Sequence, residues 1–261
     1  MGIKIGIAGP LEHENYREAV FLAAKRCGID LTVEISLIPE QADGWDGLIL
    51  PGGGDTHADF LPGQPAQDPT CTGVNMALDK KQFAILDRFV KAKKPVFGIC
   101  RGMQLIGVYF GSDFYQNLPT AQSHRYIEYD QIHSSHAVSG SFLEKLYGET
   151  FSINSAHHQG VKVPDAQTGT VSPLIAACEG ARGSAAASGE TAQDAGPIFC
   201  MDVIQRAQDG VIEGIVHKTL PVIGLQWHPE RLCGRHARPD AVDGGKVFEY
   251  FLKACCSRQN G

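Results

Sequence analysis

The chain has 261 residues, of which 43% are hydrophobic and 20% charged, and 23 Lys plus Arg stand against 29 Asp plus Glu for a net charge of -6. This ordinary globular composition excludes chain-wide disorder and offers no basic footprint for nucleic acid. Apolar runs are broken by Gly, Lys or Asp within about ten residues, short of the ~20 that cross a bilayer, so a soluble protein with no membrane partner is expected.

The segment Met1–Ile7 has no basic lead before a long apolar stretch, and Gly6 stands where a myristoylation motif carries Ser or Thr, so no export or anchoring signal is expected. Short β-rich runs then alternate with helix-period segments: Ile3–Gly9, a helix around Glu14–Cys27, Leu31–Leu37, Gly47–Leu50, a helix around Met76–Lys93, and Val96–Cys100. Such alternation predicts an α/β fold with a mostly parallel sheet flanked by helices. In the second helix Leu78, Phe83, Ile85, Leu86 and Phe89 form the apolar stripe, leaving Asp79, Lys80 and Arg88 for the wet side.

After Tyr109 the pattern weakens to short strand-like pieces, Phe114–Leu118, Ile127–Tyr129, His136–Ser139 and Phe151–Asn154, which predict a small antiparallel annex. Ala181–Gly196 is almost entirely small and polar, with little to bury, and residues 181–208 are expected to form a mobile insertion. Strands resume at Val211–His217 and Val222–Trp227, and Val242–Cys256 closes the pattern as a helix. No repeat or linker divides the chain, so 1–261 is expected to be one domain. Eight cysteines (Cys27, Cys71, Cys100, Cys178, Cys200, Cys233, Cys255 and Cys256) are scattered without a Cys-x-x-Cys pair. That spacing argues against a disulfide scaffold or a zinc ribbon and for a reducing cytoplasm.

Three stretches carry chemistry. In Gly98-Ile99-Cys100-Arg101-Gly102 a buried strand runs into an amphipathic helix, with Cys100 at the elbow. A strained turn there presents the sulfur at the helix N-terminus, whose partial positive charge favours thiolate, and the Arg101 N–H is free to meet an oxyanion. With 30 Gly and 8 Cys the pattern arises by chance about 0.1 times in such a chain, so alone it competes evenly with a buried structural Cys. Gln226-Trp227-His228-Pro229-Glu230 ends a second buried strand, and alternation along an extended chain sends His228 and Glu230 to one side, where the acid orients the imidazole. Taken alone, that tripeptide also fits a surface loop. Pro51-Gly52-Gly53-Gly54-Asp55 follows a third strand; it turns backbone N–H groups into a site, or is a plain turn, and it lacks the Lys-Ser/Thr of a P-loop.

PGGGD, GICRGMQ and QWHPE, in this order and at this spacing, resemble the class I glutamine amidotransferase superfamily, and its peptidase C26 branch of γ-glutamyl-γ-aminobutyrate hydrolase-like enzymes in particular. Phe114–Pro119 and Asn154–Gln159 are similar to that branch as well, and the resemblance covers most of residues 3–252. It implies a flavodoxin-like sheet, with Cys100 as nucleophile, His228 as general base and acid, and Glu230 as the residue orienting the imidazole. The oxyanion hole would be made by the Arg101 N–H and an N–H of Gly52 or Gly53, and Gln104 with the backbone around His157, His158 and Gln159 would hold the glutamyl group. No cofactor or metal is implied. The partner is a small γ-glutamyl compound, cleaved through a thioester to glutamate and an amine; the leaving amine is not readable, and oligomeric state is open, a homo-oligomer included.

Two departures stand out. The Ala181–Gly196 insertion is unusual for the family, and Thr56-His57-Ala58-Asp59 lacks the Pro-x-x-Tyr run that often follows the glycines in relatives. Three other readings remain: a glutaminase subunit feeding ammonia to a synthase, a non-catalytic flavodoxin-like binding domain, and a metal hydrolase. The last would draw on Asp55, His57 and Asp59 or on His124, His133, His136, His157 and His158, although no His-Glu-x-x-His helix supports it.

Overall fold

A computed structural model describes residues 2–10, 14–64, 66–163 and 200–259. Four parallel strands form one half of its main sheet: β1 (Ile3–Ile7), β2 (Leu31–Ile35), β3 (Gly47–Leu50) and β4 (Val96–Ile99). The helices α1 (Glu14–Cys27), α2 (Met76–Lys91) and α3 (Arg101–Tyr109) connect or follow them. Residue alternation decides which face each side chain serves. Ile49, Phe97 and Ile99 point to one apolar layer with α1 and the last helix, α5 (Gly245–Gln259), while Leu48, Leu50 and Val96 join α2 and α3 on the other. Phe97 meets Phe248 and Phe251 of α5 at ring-centroid distances of 5.4 and 5.7 Å. Truncating so buried an aromatic typically costs about 3–5 kcal/mol, so this contact is a main tie between the sheet and α5.

The sheet continues through β11 (Val222–Leu225) and then, antiparallel from there on, through β10 (Ile212–His217), β9 (Met201–Ala207), β6 (Gln131–Ala137) and β7 (Thr150–Ser155), giving the order β2-β1-β3-β4-β11-β10-β9-β6-β7. β11 returns beside β4 in parallel register, with Leu225 opposite Ile99. The short helix α4 (Phe142–Tyr147) links β6 and β7. A separate two-stranded antiparallel sheet joins β5 (Asp113–Tyr115) to β8 (Gly160–Lys162).

The expected α/β class is therefore observed, and three details differ from expectation. The antiparallel annex is β5 with β8 alone, because the pieces at His136–Ser139 and Phe151–Asn154 fall in or beside β6 and β7 and extend the main sheet, and Ile127–Tyr129 is not a strand. The end of the expected insertion is not mobile. Residues 201–207 are β9, paired on both sides, and Met201, Ile204 and Ala207 are buried at intervals of three, with Met201 and Ile204 on opposite faces. The Ala181–Gly196 tract itself lies outside the described residues. Lastly, Asp79 is fully buried rather than on the wet side of α2. Among the described residues none of the seven cysteines is in a disulfide, and no helix is long and apolar enough to cross a membrane.

Candidate active site

The parallel half of the sheet brings the three motifs together at one edge. Cys100 directly follows β4 and caps the N-terminus of α3 with φ 51° and ψ -111°, a conformation L-residues rarely adopt. Its N–H donates to the Leu225 carbonyl of β11 at 2.7 Å and its own carbonyl accepts from Gln104 N at 3.1 Å, so both neighbouring elements hold the turn. Gly98 and Gly102 permit it: a Cβ on Gly102 would lie 1.9 Å from the Leu50 carbonyl oxygen, and one on Gly98 would lie 2.6 Å from the Gly102 backbone.

His228 follows β11, on the strand paired with the one that ends at Cys100. Its Nδ1 lies 2.8 Å from Glu230 Oε1, and both residues are buried. The pairing arises differently from the extended alternation expected from sequence, because Pro229–Arg231 forms a 3-10 turn that curls Glu230 back beneath the imidazole. Asn154 of β7 clamps the backbone of His228 from both sides: Oδ1 accepts from His228 N at 3.0 Å, and Nδ2 donates to its carbonyl at 3.1 Å.

Burial pushes the Cys100 thiol up, yet the His228 imidazole beside it, with His157 and Arg231 further off, outweighs that and holds it below its ordinary value. Burial likewise opposes charge on His228, but Glu230 and Cys100 raise it well above the usual imidazole range. Burial also penalises the Glu230 carboxylate, and His228 and Arg231 still lower it. All three shifts run toward the charged forms: thiolate, imidazolium and carboxylate.

Of the expected oxyanion glycines, Gly52 gives its N–H to the Tyr16 hydroxyl at 2.9 Å. A Cβ there would lie 3.0 Å from His228 Cε1 and 3.4 Å from Cys100 Cβ, so Gly52 fills the gap between thiol and imidazole. Gly53 instead lines a cavity of about 500 Å³ together with Cys100, Arg101, Gln104, His157, His158 and Gln159. All four expected substrate residues therefore surround this cavity. Gln104 Nε2 donates to the Gln159 carbonyl at 3.2 Å, and His158 Nε2 lies 2.9 Å from Asp55 Oδ2. The Arg101 guanidinium turns away from the cavity mouth into buried contacts with Asp79 and Gln82 of α2.

Sequence reasoning missed Tyr16, Asp79, Gln82 and the clamp by Asn154. Asp79 and Gln82 flank the buried Phe83 at helical spacing, a faint sign of a polar inward face, whereas nothing in the chain couples Tyr16 to the glycines. Of the proposed metal-binding residues, the structure gathers His124, His133 and His157. His136 is spent on Thr150 at 3.0 Å, and Asp55 pairs with His158. His57 is spent on the Asp59 N–H at 3.2 Å.

The profile of the peptidase C26 family matches residues 13–230. Protein NtpR of Enterococcus hirae is 27% identical over 246 residues, covering 87% of this chain and 83% of that protein. The γ-glutamyl-γ-aminobutyrate hydrolase PuuD of Escherichia coli is 26% identical over 235 residues, covering 85% and 76%. A crystal structure of a glutamine amidotransferase from Thermotoga maritima, 13% identical, superposes with a TM-score of 0.57 over 99% of this chain and 98% of that one, a likeness of fold.

Proposed function

The chain belongs to the peptidase C26 family, and from that premise we propose that it hydrolyses the γ-amide bond of a small γ-glutamyl compound through a thioester on Cys100. The observation that carries this reading is the strained Cys100 at the rim of the cavity, with the His228–Glu230 pair at its back. Thiolate, base and orienting acid are the parts a cysteine acyl-transfer site requires.

In the first half-reaction the Cys100 thiolate adds to the γ-carbonyl carbon, and the carbonyl π electrons move to oxygen. The Arg101 N–H, the first orphan donor of α3, and the Gly53 N–H receive that charge; Gly52, already committed to Tyr16, shapes the gap instead. The C–N bond then breaks as the His228 imidazolium gives its proton to the departing amine. Neutral His228 next takes a proton from water, hydroxide adds to the thioester, and the C–S bond breaks to return thiolate and release glutamate. Gln104, His157, His158 and Gln159 form the wall that holds the glutamyl head. Their arrangement and the family membership support γ-glutamyl substrates as a class, with the leaving amine directed toward the Arg125, Tyr126 and Ile127 side of the cavity. The free thiol suits a reducing compartment.

A panel of γ-glutamyl amides, with glutamate release as the readout and no second protein added, tests this directly. Turnover of a substituted amide by the wild type and none by Cys100→Ala is the expected result. Turnover of glutamine alone, and only with a synthase partner present, would replace the reading by an ammonia-supplying subunit.

A further inference from the structure

Glu213 lies in β10, fully buried, and neither carboxylate oxygen has a hydrogen-bond partner. A buried carboxylate without a donor is among the costliest orphans a fold can contain. Three imidazole nitrogens converge on its Oε1: His124 Nδ1 at 3.5 Å, His157 Nε2 at 3.5 Å and His133 Nε2 at 3.6 Å. These separations exceed the ~2.7–3.2 Å of an N–H···O bond.

The far nitrogen of each ring explains the tautomers. His157 Nδ1 faces the Gln159 carbonyl at 3.0 Å and His133 Nδ1 faces the Ser134 carbonyl at 3.1 Å. Carbonyls only accept, so both rings carry a proton on Nδ1 and, when neutral, present a lone pair at Nε2 toward Glu213. His124 Nε2 faces Asp209 Oδ2 at 2.9 Å, which leaves its Nδ1 in the same role. Ser155 Oγ is 3.3 Å from that Nδ1, but it donates to the His124 carbonyl at 3.0 Å. Lone pairs and a carboxylate aimed at one another repel unless positive charge sits among them.

We propose that His124, His157 and Glu213 bind a divalent cation of the zinc class. Their ligand atoms all lie within 4.8 Å of one another, and His133 Nε2 is the remaining imidazole donor for a fourth position. Donors around a tetrahedral ion with bonds of roughly 2.0–2.1 Å sit about 3.4 Å apart, close to the 3.5–3.6 Å between Glu213 Oε1 and each imidazole nitrogen. Three nitrogens and one oxygen suit zinc better than calcium or magnesium, which take oxygen shells. The outer contacts to Asp209, Gln159 and Ser134 match the way metal-bound histidines are oriented by acceptors behind them. The ion would join β6, β10 and the segments before β6 and after β7, and so brace the His157 wall of the cavity without touching the thiol. This inference is independent of the hydrolytic reading.

The test is metal content. The full chain is dialysed with zinc, then freed of loosely bound ion by gel filtration, and its metal is measured by mass spectrometry; the same is done with cobalt. Expected are about one equivalent of zinc, a rise in Tm on loading that a chelator reverses, and a visible cobalt band of tetrahedral intensity without a thiolate charge-transfer band. Cys100→Ala retains the ion and Glu213→Gln loses it. Substoichiometric zinc in the wild type with a Tm indifferent to chelator overturns the proposal whether or not the Glu213→Gln variant folds. So does an ion that departs with Cys100→Ala, since it would then sit on the nucleophile. Metal-free Glu213→Gln more stable than metal-free wild type, with zinc binding unchanged, also overturns it and would leave a proton as the positive charge.

Discussion

Arg101 and Asp79 form an ion pair inside the protein, their side chains 3% and 0% exposed, and this pair ties the residue after Cys100 to helix α2. Asp79 also accepts the His57 N–H at 3.0 Å, and Gln82, which shares the guanidinium, reaches the Ala8 carbonyl of the β1 end at 2.6 Å. The Cys100 elbow is thereby fastened to two other segments.

Removing one member of such a pair leaves an uncompensated buried charge, which typically costs about 3–5 kcal/mol. Asp79→Ala is expected to lose stability on that scale in urea unfolding, and the double variant Asp79→Leu with Arg101→Met to recover much of it. Equal loss in the single and double variants would show that the pair is not coupled.

Cys100 has φ 51°, where a side chain is strained by about 1–3 kcal/mol. Both Cys100→Ala and Cys100→Gly should abolish turnover, but glycine removes the strain that alanine keeps. Cys100→Gly is therefore expected to melt above Cys100→Ala, even though glycine pays more backbone entropy, a difference of roughly 0.5–1 kcal/mol. The reverse order in calorimetry contradicts a strained elbow.

Proton transfer and orientation should separate by residue. His228→Ala deprives both half-reactions of their proton carrier and is expected to lose nearly all turnover. Glu230→Gln leaves a less basic, still tethered ring and is expected to lose less. Asn154→Ala frees the His228 backbone without touching its imidazole, so kcat should fall while KM changes little. A loss confined to KM would move Asn154 to substrate binding.

On the proposed mechanism the active pair is a thiolate beside an imidazolium, and two groups so close would titrate as a unit. With the Cys100 thiol below its ordinary value, activity should persist below the usual thiol range of about 8.5 and vanish as pH falls through the lowered value. With His228 raised, the alkaline limb should lie above the usual imidazole value of about 6.5. Glu230→Gln removes the negative charge that favours the imidazolium, so this limb should move down. Alkylation rate and kcat/KM against pH measure both limbs, and an acid limb at the ordinary thiol value contradicts the thiolate assignment.

What the sequence made legible follows from the range of each signal. The run of strands and helices through Cys100 is written in local periodicity, and the elbow in glycines two residues either side of that cysteine. β9 was hidden because its buried Met201, Ile204 and Ala207 stand three apart, off the two-residue period of a half-buried strand, and follow a polar tract. The inward turn of Asp79 was hidden because its partner lies on another helix, and charge on a helix ordinarily marks the wet face. Tyr16 and Asn154 act through contacts made only when α1 and β7 close on the site. His228 and Glu230 were paired correctly for an incorrect geometric reason, since spacing alone does not distinguish an extended strand from a 3-10 turn.

The pairing of β11 with β4 has a consequence for the order in which the protein is made. A ribosome delivers Cys100 and its helix well before β11, so a nascent chain carries the thiol without His228, Glu230 or the Leu225 carbonyl that pins the elbow. Until the late strand slides in beside β4, Cys100 is an ordinary thiol on an unfinished sheet edge. On the proposed mechanism, a chain that stops before β11 would carry Cys100 but show no turnover.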